Sequence, residues 1–181
     1  MLGKTLKLYK VPLLVSLVIS VVLIALKVEK QYFQISLIFL GSLLGTFFLD
    51  LDYFIYTYFL DPAADFSKTV AGFIKHRDLP NALSYIYYHK EDLHEKTLNS
   101  ALFQLVLGGL MIFVTSSSTN LFVKALVLST FANSLYRLAQ NYYENKTAEW
   151  FWIFKNVPNK KSVVVYTVIL FGIFLYCLTL F

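Results

Sequence analysis

Hydrophobic residues occupy five long stretches of this chain, separated by shorter polar or charged segments. A membrane-spanning α-helix needs about 20 predominantly apolar residues, and each stretch reaches or approaches that length. The predicted spans cover residues 11–27, 32–60, 97–116, 120–142 and 162–181. A cluster of serine, threonine and asparagine at 116–120 supplies turn residues, so one helix should end there and another begin. The pattern predicts one all-α integral membrane domain, residues 1–181, with about five transmembrane helices.

The longest connection, residues 61–96, has a different pattern and contains all three histidines. Asp78 followed by Pro80 is typical of a helix start, with the aspartate as cap and the proline in the first turn. Positions 83, 86, 90, 93 and 97 then follow at spacings of three and four and form a mostly apolar stripe. We expect an amphipathic cytoplasmic helix that lies along the membrane surface or leads into the third span.

Small and aromatic residues add detail to this membrane picture. Gly41 and Gly45, four apart in the second span, favour close helix packing because small residues let backbones approach. The aromatic clusters at 85–88 and 150–152 fit belts at the level of the lipid headgroups.

Composition supports the membrane class and excludes several others. Hydrophobic residues make up 57% of the 181 positions and charged residues only 15%, against about 25% charged residues in soluble domains. A soluble fold of this size could not bury that much apolar surface, and disorder is excluded for the same reason. The single cysteine, Cys177, permits no intrachain disulfide, so a secreted disulfide scaffold is excluded as well.

The distribution of basic residues predicts the orientation. With five spans, 13 of the 16 lysines and arginines fall on one side of the membrane. Because basic residues favour the cytoplasm, we expect a cytoplasmic N-terminus and an outside C-terminus in the cell (inner) membrane. The net charge of +5 is spread over three separate segments, which indicates contact with the lipid bilayer and no nucleic-acid partner. The sequence points to no particular protein partner.

Three ionisable residues lie deep within the predicted spans. Asp50, in the second span, is 19 residues from its outer end, about 28 Å along a helix. Asn99 and Arg137 are each 17 residues from the outer ends of their own spans, about 26 Å. Asp52 completes the set, but on a regular helix it points about 200° away from Asp50. Both carboxylates could therefore reach one ion only if the helix breaks between them.

Two short motifs resemble the YdjM-type family of inner-membrane metal-dependent hydrolases. The stretch at 41–53 resembles the family's glycine-rich helix that ends in Pro-Asp-x-Asp-His, and His94 followed by Ser100 is similar to its His-Arg-x-x-Thr-His-Ser. The resemblance covers residues 38–152. It implies a divalent metal held by Asp50, Asp52 and His94. The catalytic candidates that it implies are Asp50, Asp52, His94 and Ser100.

Several positions depart from the family pattern. Leu49 stands where the family has proline, Arg137 where it has aspartate, and Tyr53, Asn99 and Asn133 where it has histidine. The permanent positive charge of Arg137 would repel a divalent ion, whereas its N–H groups can donate two parallel hydrogen bonds to a carboxylate. We therefore expect a structural ion pair of Arg137 with Asp50 or Asp52, and no cofactor.

Two functions remain open at this stage. The first is a non-enzymatic, multi-pass membrane protein of unknown function with a degenerate, metal-free polar core. The second is an active metal-dependent hydrolase that works at the cytoplasmic leaflet, with His94 as a metal ligand or general base. Whether the chain is an enzyme is left open.

Overall fold

A computed structural model of the chain describes residues 9–28, 30–89, 96–154 and 158–181. These residues form helices joined by turns, with no β-strand among them, which confirms the all-helical prediction for the described part. The helices in chain order are α1 (Lys10–Lys27), α2 (Tyr32–Phe48), α3 (Leu51–Ile55), continued by a π-helical turn (Tyr56–Leu60), α4 (Asp65–Lys75), α5 (Leu79–His89), α6 (Ala101–Ser116), α7 (Leu121–Tyr143), α8 (Thr147–Trp150) and α9 (Lys160–Thr179).

Length and hydropathy identify the helices that are able to cross a membrane. Within the described residues, α1 and α9 are both long and apolar enough. A third candidate span results if α2 and its bent continuation to Leu60 are treated as a single span. The helix α6 is apolar but shorter, at 16 residues. These apolar helices indicate that the protein associates with a membrane.

The helix α7 lies at the centre of the bundle and packs against α1, α2, α6 and α9. Ala125, Leu128 and Phe131 on α7 are completely buried in the main apolar core, together with Met111 of α6. The neighbouring helices enclose α7, so its polar side chains can contact protein rather than lipid. This is why the most buried long helix is less apolar than α1 and α9.

Close packing of α2 on α7 depends on the two glycines, as their spacing predicts. A methyl group on Gly41 would clash with the carbonyl oxygen of Phe122, and one on Gly45 would lie 2.8 Å from Cβ of Ser129. Both contacts are closer than van der Waals distance, so only glycine allows this approach.

Small polar side chains join α1, α2 and α7 inside the bundle. Ser16 Oγ accepts hydrogen bonds from Thr46 Oγ1 (2.6 Å) and Asn133 Nδ2 (2.9 Å). It lies 2.8 Å from Ser129 Oγ, which donates to the Ser42 carbonyl at 2.7 Å. Such interhelical hydrogen bonds stabilise helix packing where lipid removes the hydrophobic driving force.

The second predicted span, 32–60, is not one regular helix, and this corrects the sequence interpretation. The chain bends by 47° between α2 and the segment 51–60, although residue 49 is leucine rather than proline. At the bend, the backbone N–H groups of Asp50, Asp52 and Tyr53 each donate to the carbonyl three residues earlier. The Leu49 carbonyl accepts from Asp52 at 3.4 Å and also from the Asn99 side chain at 3.1 Å, so a side chain from another segment takes part where the regular helical ladder is interrupted.

The third predicted span also begins later than expected. Residues 97–100 are not helical, and α6 starts at Ala101 with Ser100 as its cap. Ser100 Oγ accepts from the backbone N–H of Phe103 at 3.3 Å, which satisfies one of the free amides at the helix start. The depth argument assumed that Asn99 lies within a helix, and this assumption is wrong because its backbone is not helical.

The connection after the second predicted span contains two described helices rather than one. The helix α5 begins where the Asp78 cap predicts, and Asp78 accepts from the Asn81 side chain at 2.7 Å. Thr97, the last position of the predicted stripe, is not helical, and residues 90–95 of the stripe lie outside the described residues. The helix α4 was not predicted, and it packs on α5 through Phe66, Val70 and Ile86.

The aromatic cluster at 150–152 is only partly a headgroup belt. Trp150 is buried, and its indole N–H donates to Gln104 Oε1 of α6 at 3.3 Å. Trp152 is partly exposed and donates to the Lys96 carbonyl at 2.9 Å. The first tryptophan is therefore part of the core, and only the second suits an interface.

Replacing Gly41 by alanine should weaken the α2–α7 contact. The added methyl group meets backbone atoms that cannot move away easily, so we expect a loss of about 1–3 kcal/mol in the free energy of unfolding. Gly109→Ala in α6 is the matched control, because nothing lies within 4 Å of its added methyl group. Unfolding of both detergent-solubilised variants by dodecyl sulfate compares them, and equal effects would contradict the packing argument.

Candidate functional site

An ion pair between Arg137 and Asp50 joins the central helix to the bend in the second apolar segment. Arg137 Nη2 lies 2.7 Å from Asp50 Oδ1, and the two side chains are 15% and 12% exposed. Arg137 Nη1 donates to Asn99 Oδ1 at 2.8 Å. The structure thus brings together the three polar residues that the depth argument placed at one level.

Asp52 lies in the same network but does not pair with Arg137. Its Oδ1 accepts from the Thr97 backbone N–H at 2.9 Å. Its Oδ2 accepts from Asn99 twice, from the backbone N–H at 3.0 Å and from the side chain at 2.9 Å. The sequence analysis offered Asp50 or Asp52 as the partner of Arg137; Asp50 is that partner, and Asp52 lies against residues 97–99 after the bend.

Asn99 connects the whole network. Its amide nitrogen donates to the Leu49 carbonyl and to Asp52, while its oxygen accepts from Arg137. A side-chain amide has both an NH₂ donor and a carbonyl acceptor, so Asn99 can bond to the Asp52 carboxylate and to the Arg137 guanidinium at the same time. The sequence signal for Asn99 was its depth, which alone did not predict a role for its side chain in the site.

The remaining catalytic candidates are not brought into this network as reactive groups. Ser100 Oγ donates to the Thr97 carbonyl at 2.7 Å and caps α6, so its hydroxyl is used in local structure. His94 lies outside the described residues.

Among the described residues, which do not include the third predicted ligand His94, no three His, Cys, Asp or Glu side chains lie close enough together to hold a metal ion. Asp50 faces a guanidinium group that would repel the ion, and both oxygens of Asp52 already accept hydrogen bonds. The resemblance that implies metal binding by Asp50, Asp52 and His94 therefore gains no support from this part of the chain.

A cavity of about 300 Å³ adjoins the ion pair at the end of the bundle where α1 begins. Asp50, Asn99 and Arg137 lie in its wall. Its charged rim consists of two further ion pairs, Lys96–Glu149 at 3.7 Å and Lys146–Glu144 at 3.6 Å. The aromatic lining consists of Tyr9, Tyr53, Tyr87, Tyr136 and Trp150.

Tyr9 belongs to the immediate surroundings of Asp50. Burial, and next the Asp50 carboxylate, raise the pKa of the Tyr9 phenol well above its ordinary value. A neutral phenol adds no charge to the site over the physiological pH range. The formal charge of the deep network is therefore set by Asp50, Asp52 and Arg137, and it sums to −1.

Comparisons of this chain with protein-family models, curated proteins and solved structures found no match.

Breaking the Asp50–Arg137 pair should destabilise the bundle strongly. Asp50→Asn leaves a mostly buried guanidinium without its counter-charge, a change that typically costs about 3–5 kcal/mol. Asp65→Asn is the matched control, because its pair with Lys68 is solvent-exposed and should contribute little. Dodecyl sulfate unfolding of both variants tests the difference.

A double-mutant cycle separates the pair from its surroundings. Asp50→Asn combined with Arg137→Gln removes both charges, so the double variant should lose less than the sum of the two single losses. Strict additivity would show that the two side chains do not act as a pair.

Proposed function

We propose that this protein is a five-span membrane protein in which the Asp50–Arg137 network forms a metal-free polar core that holds the helices in register. The observation that carries this proposal is the 2.7 Å contact between Arg137 Nη2 and Asp50 Oδ1. A guanidinium group cannot lose its charge by deprotonation in a protein, so inside a bilayer it needs a carboxylate partner.

Exposed apolar side chains support the membrane part of the proposal. Large hydrophobic residues on α1 and α9, such as Val21 and Val168, are more than half exposed although both helices are strongly apolar. Such surfaces suit contact with lipid. The helix α7 has 23 residues, which is long enough to cross a membrane. The helices packed around it would separate its polar side chains from lipid.

The orientation in this proposal comes from charge. The positive-inside rule puts the N-terminus in the cytoplasm and the C-terminus outside, in the cell (inner) membrane. The cavity beside Asp50 is lined by residues at the start of α1. With the N-terminus in the cytoplasm, this cavity would open toward the cytoplasmic leaflet.

The alternative is an active metal-dependent hydrolase at that leaflet. One observation favours it, since the Asp50 carboxylate lies in the wall of a cavity large enough for a small substrate. In that case Asp50, Asp52 and His94 would hold the metal. The contacts of Arg137 and Asn99 with the two carboxylates argue against it.

Metal analysis separates the two functions. The detergent-purified protein is exposed to Zn²⁺ or Mn²⁺, dialysed and compared with an Asp50→Asn, Asp52→Asn double variant. We expect less than stoichiometric metal in both proteins and a lower melting temperature for the variant, because its polar core is incomplete. Stoichiometric metal that the double variant loses would favour the hydrolase.

Cysteine labelling tests the topology. Ser118→Cys and Asn145→Cys place thiols at exposed positions on predicted opposite sides, in a background with Cys177→Ala. A membrane-impermeant maleimide should label the Ser118→Cys variant in intact cells and the Asn145→Cys variant only after lysis. The reverse pattern would contradict the orientation, and labelling of both variants in intact cells would contradict the crossing between them.

A further inference from the structure

The helices α4 and α5 form a hairpin that has a small apolar core of its own. Phe66 and Val70 of α4 pack on Ile86 of α5. The ring centroids of Phe66 and Tyr56 lie 6.1 Å apart, and Tyr53 belongs to the same cluster. The hairpin therefore packs on the bent segment 51–60 and has a defined place beside the bundle.

The bend after α2 gives the depth of this hairpin in the membrane protein proposed above. Asp50 lies 19 residues from the outer end of the second apolar segment, about 28 Å along a helix, which is close to the thickness of the hydrocarbon core. The chain bends there by 47°, and α4 packs on the segment that follows. A hairpin held against that segment lies at the level of the lipid headgroups.

The tip of the hairpin, where α4 leads into α5, combines basic and apolar side chains. Lys75 and Arg77 are exposed, and Leu79 beside them is 55% exposed. The acidic residue of the tip, Asp78, accepts a hydrogen bond from the Asn81 side chain at 2.7 Å in the first turn of α5. Its carboxylate is therefore engaged by its own helix, whereas the two basic side chains face outward.

The backbone of Arg77 has a conformation that favours glycine. Its φ is 58°, in the left-handed region. Its N–H donates to the Ile74 carbonyl, and the Asp78 N–H donates to the Phe73 carbonyl, both at 2.9 Å. This is the Schellman arrangement that ends many helices, and glycine is its usual residue at this position. Any other side chain there costs free energy, so local stability does not explain the arginine.

We propose that the tip of the α4–α5 hairpin binds the headgroups of anionic phospholipids, with Lys75 and Arg77 at the phosphates and Leu79 at the boundary with the acyl chains. Guanidinium and ammonium groups donate charge-assisted hydrogen bonds to phosphate oxygens. The cytoplasmic leaflet is negatively charged and attracts basic segments that lie next to a membrane-spanning helix. This inference rests on the proposed function in one respect, namely that the second apolar segment crosses the membrane as far as Asp50.

Fluorescence quenching in nanodiscs tests the lipid preference of the tip. The full-length protein carries a fluorophore on Pro80→Cys, an exposed position of the tip, in the Cys177→Ala background. The nanodiscs contain phosphatidylcholine and phosphatidylglycerol, and a nitroxide quencher is attached to one lipid or to the other at equal mole fraction. We expect stronger quenching by the labelled phosphatidylglycerol, and a preference that falls as the salt concentration rises. Equal quenching by the two lipids would overturn the inference.

Charge variants assign the preference to particular side chains. Lys75→Gln and Arg77→Gln should each lower the local enrichment of phosphatidylglycerol about fivefold, which corresponds to about 1 kcal/mol per basic residue. Lys160→Gln is the matched control, because it removes the same charge from an exposed lysine at the start of α9 and should leave the enrichment unchanged. An equal loss in the control would contradict a site at the tip.

Arg77→Gly separates a role in lipid binding from a role in the fold. Glycine adopts the left-handed conformation freely, so this variant should not lower the dodecyl sulfate concentration at which the protein unfolds, although it should lose the lipid preference. Arg77→Lys keeps the charge and should retain most of the preference. If Arg77→Gly unfolds more easily and keeps its preference for phosphatidylglycerol, the arginine serves the fold and the inference is wrong.

This inference and the proposed function can fail separately. The quencher is present in both leaflets, so the nanodisc result does not depend on the orientation that cysteine labelling tests. Stoichiometric metal would overturn the metal-free core and leave the tip unaffected. Equal quenching by the two lipids would overturn the lipid site alone. A fluorophore that neither lipid quenches would overturn both the lipid site and the depth assigned to the hairpin.

Discussion

The charge of Arg137 inside an apolar helical bundle is the constraint on which the rest of the structure depends. The guanidinium group cannot lose its charge by deprotonation. Because an unpaired charge in an apolar environment is costly, the bundle must supply a carboxylate as its partner. Asp50 does so at 2.7 Å, from the point where α2 ends. Asn99 then bridges the arginine, Asp52 and the Leu49 carbonyl. One buried cation thereby organises three separate stretches of chain.

The bend after α2 follows from the same network. Proline is the usual cause of such a bend, yet here the Asn99 side chain donates to the Leu49 carbonyl, whose backbone hydrogen bond comes from Asp52 at 3.4 Å and not from the fourth residue along a continuing helix. The residues before α6 remain non-helical because their backbone N–H groups donate to Asp52. Two irregular segments therefore meet at one level of the bundle. The cavity lies beside them, where regular helices would have packed side by side.

Agreement between sequence and structure varies with the kind of signal. Apolar length located α1, α7 and α9 to within two residues at each end, and small-residue spacing located the close approach of α2 and α7. Depth arithmetic brought Asp50, Asn99 and Arg137 to one level. The same arithmetic assumed regular helices, so it missed the 47° bend and the non-helical residues at 97–100. Trp150 was misread because an aromatic residue near a predicted interface has the same sequence pattern whether it faces lipid or Gln104.

The sequence by itself determined that the chain is helical and apolar enough for a membrane, and that a few polar residues lie deep within it. Those properties depend on composition and on periodicity along one segment, which are local. Only the tertiary structure decided that Arg137 pairs with Asp50 and leaves Asp52 to the N–H donors of Thr97 and Asn99. That choice depends on how each helix is rotated about its axis and where it breaks. Rotation and breaks are set by contacts such as Gly41 against Phe122 and Asn99 against Leu49, between residues far apart in sequence.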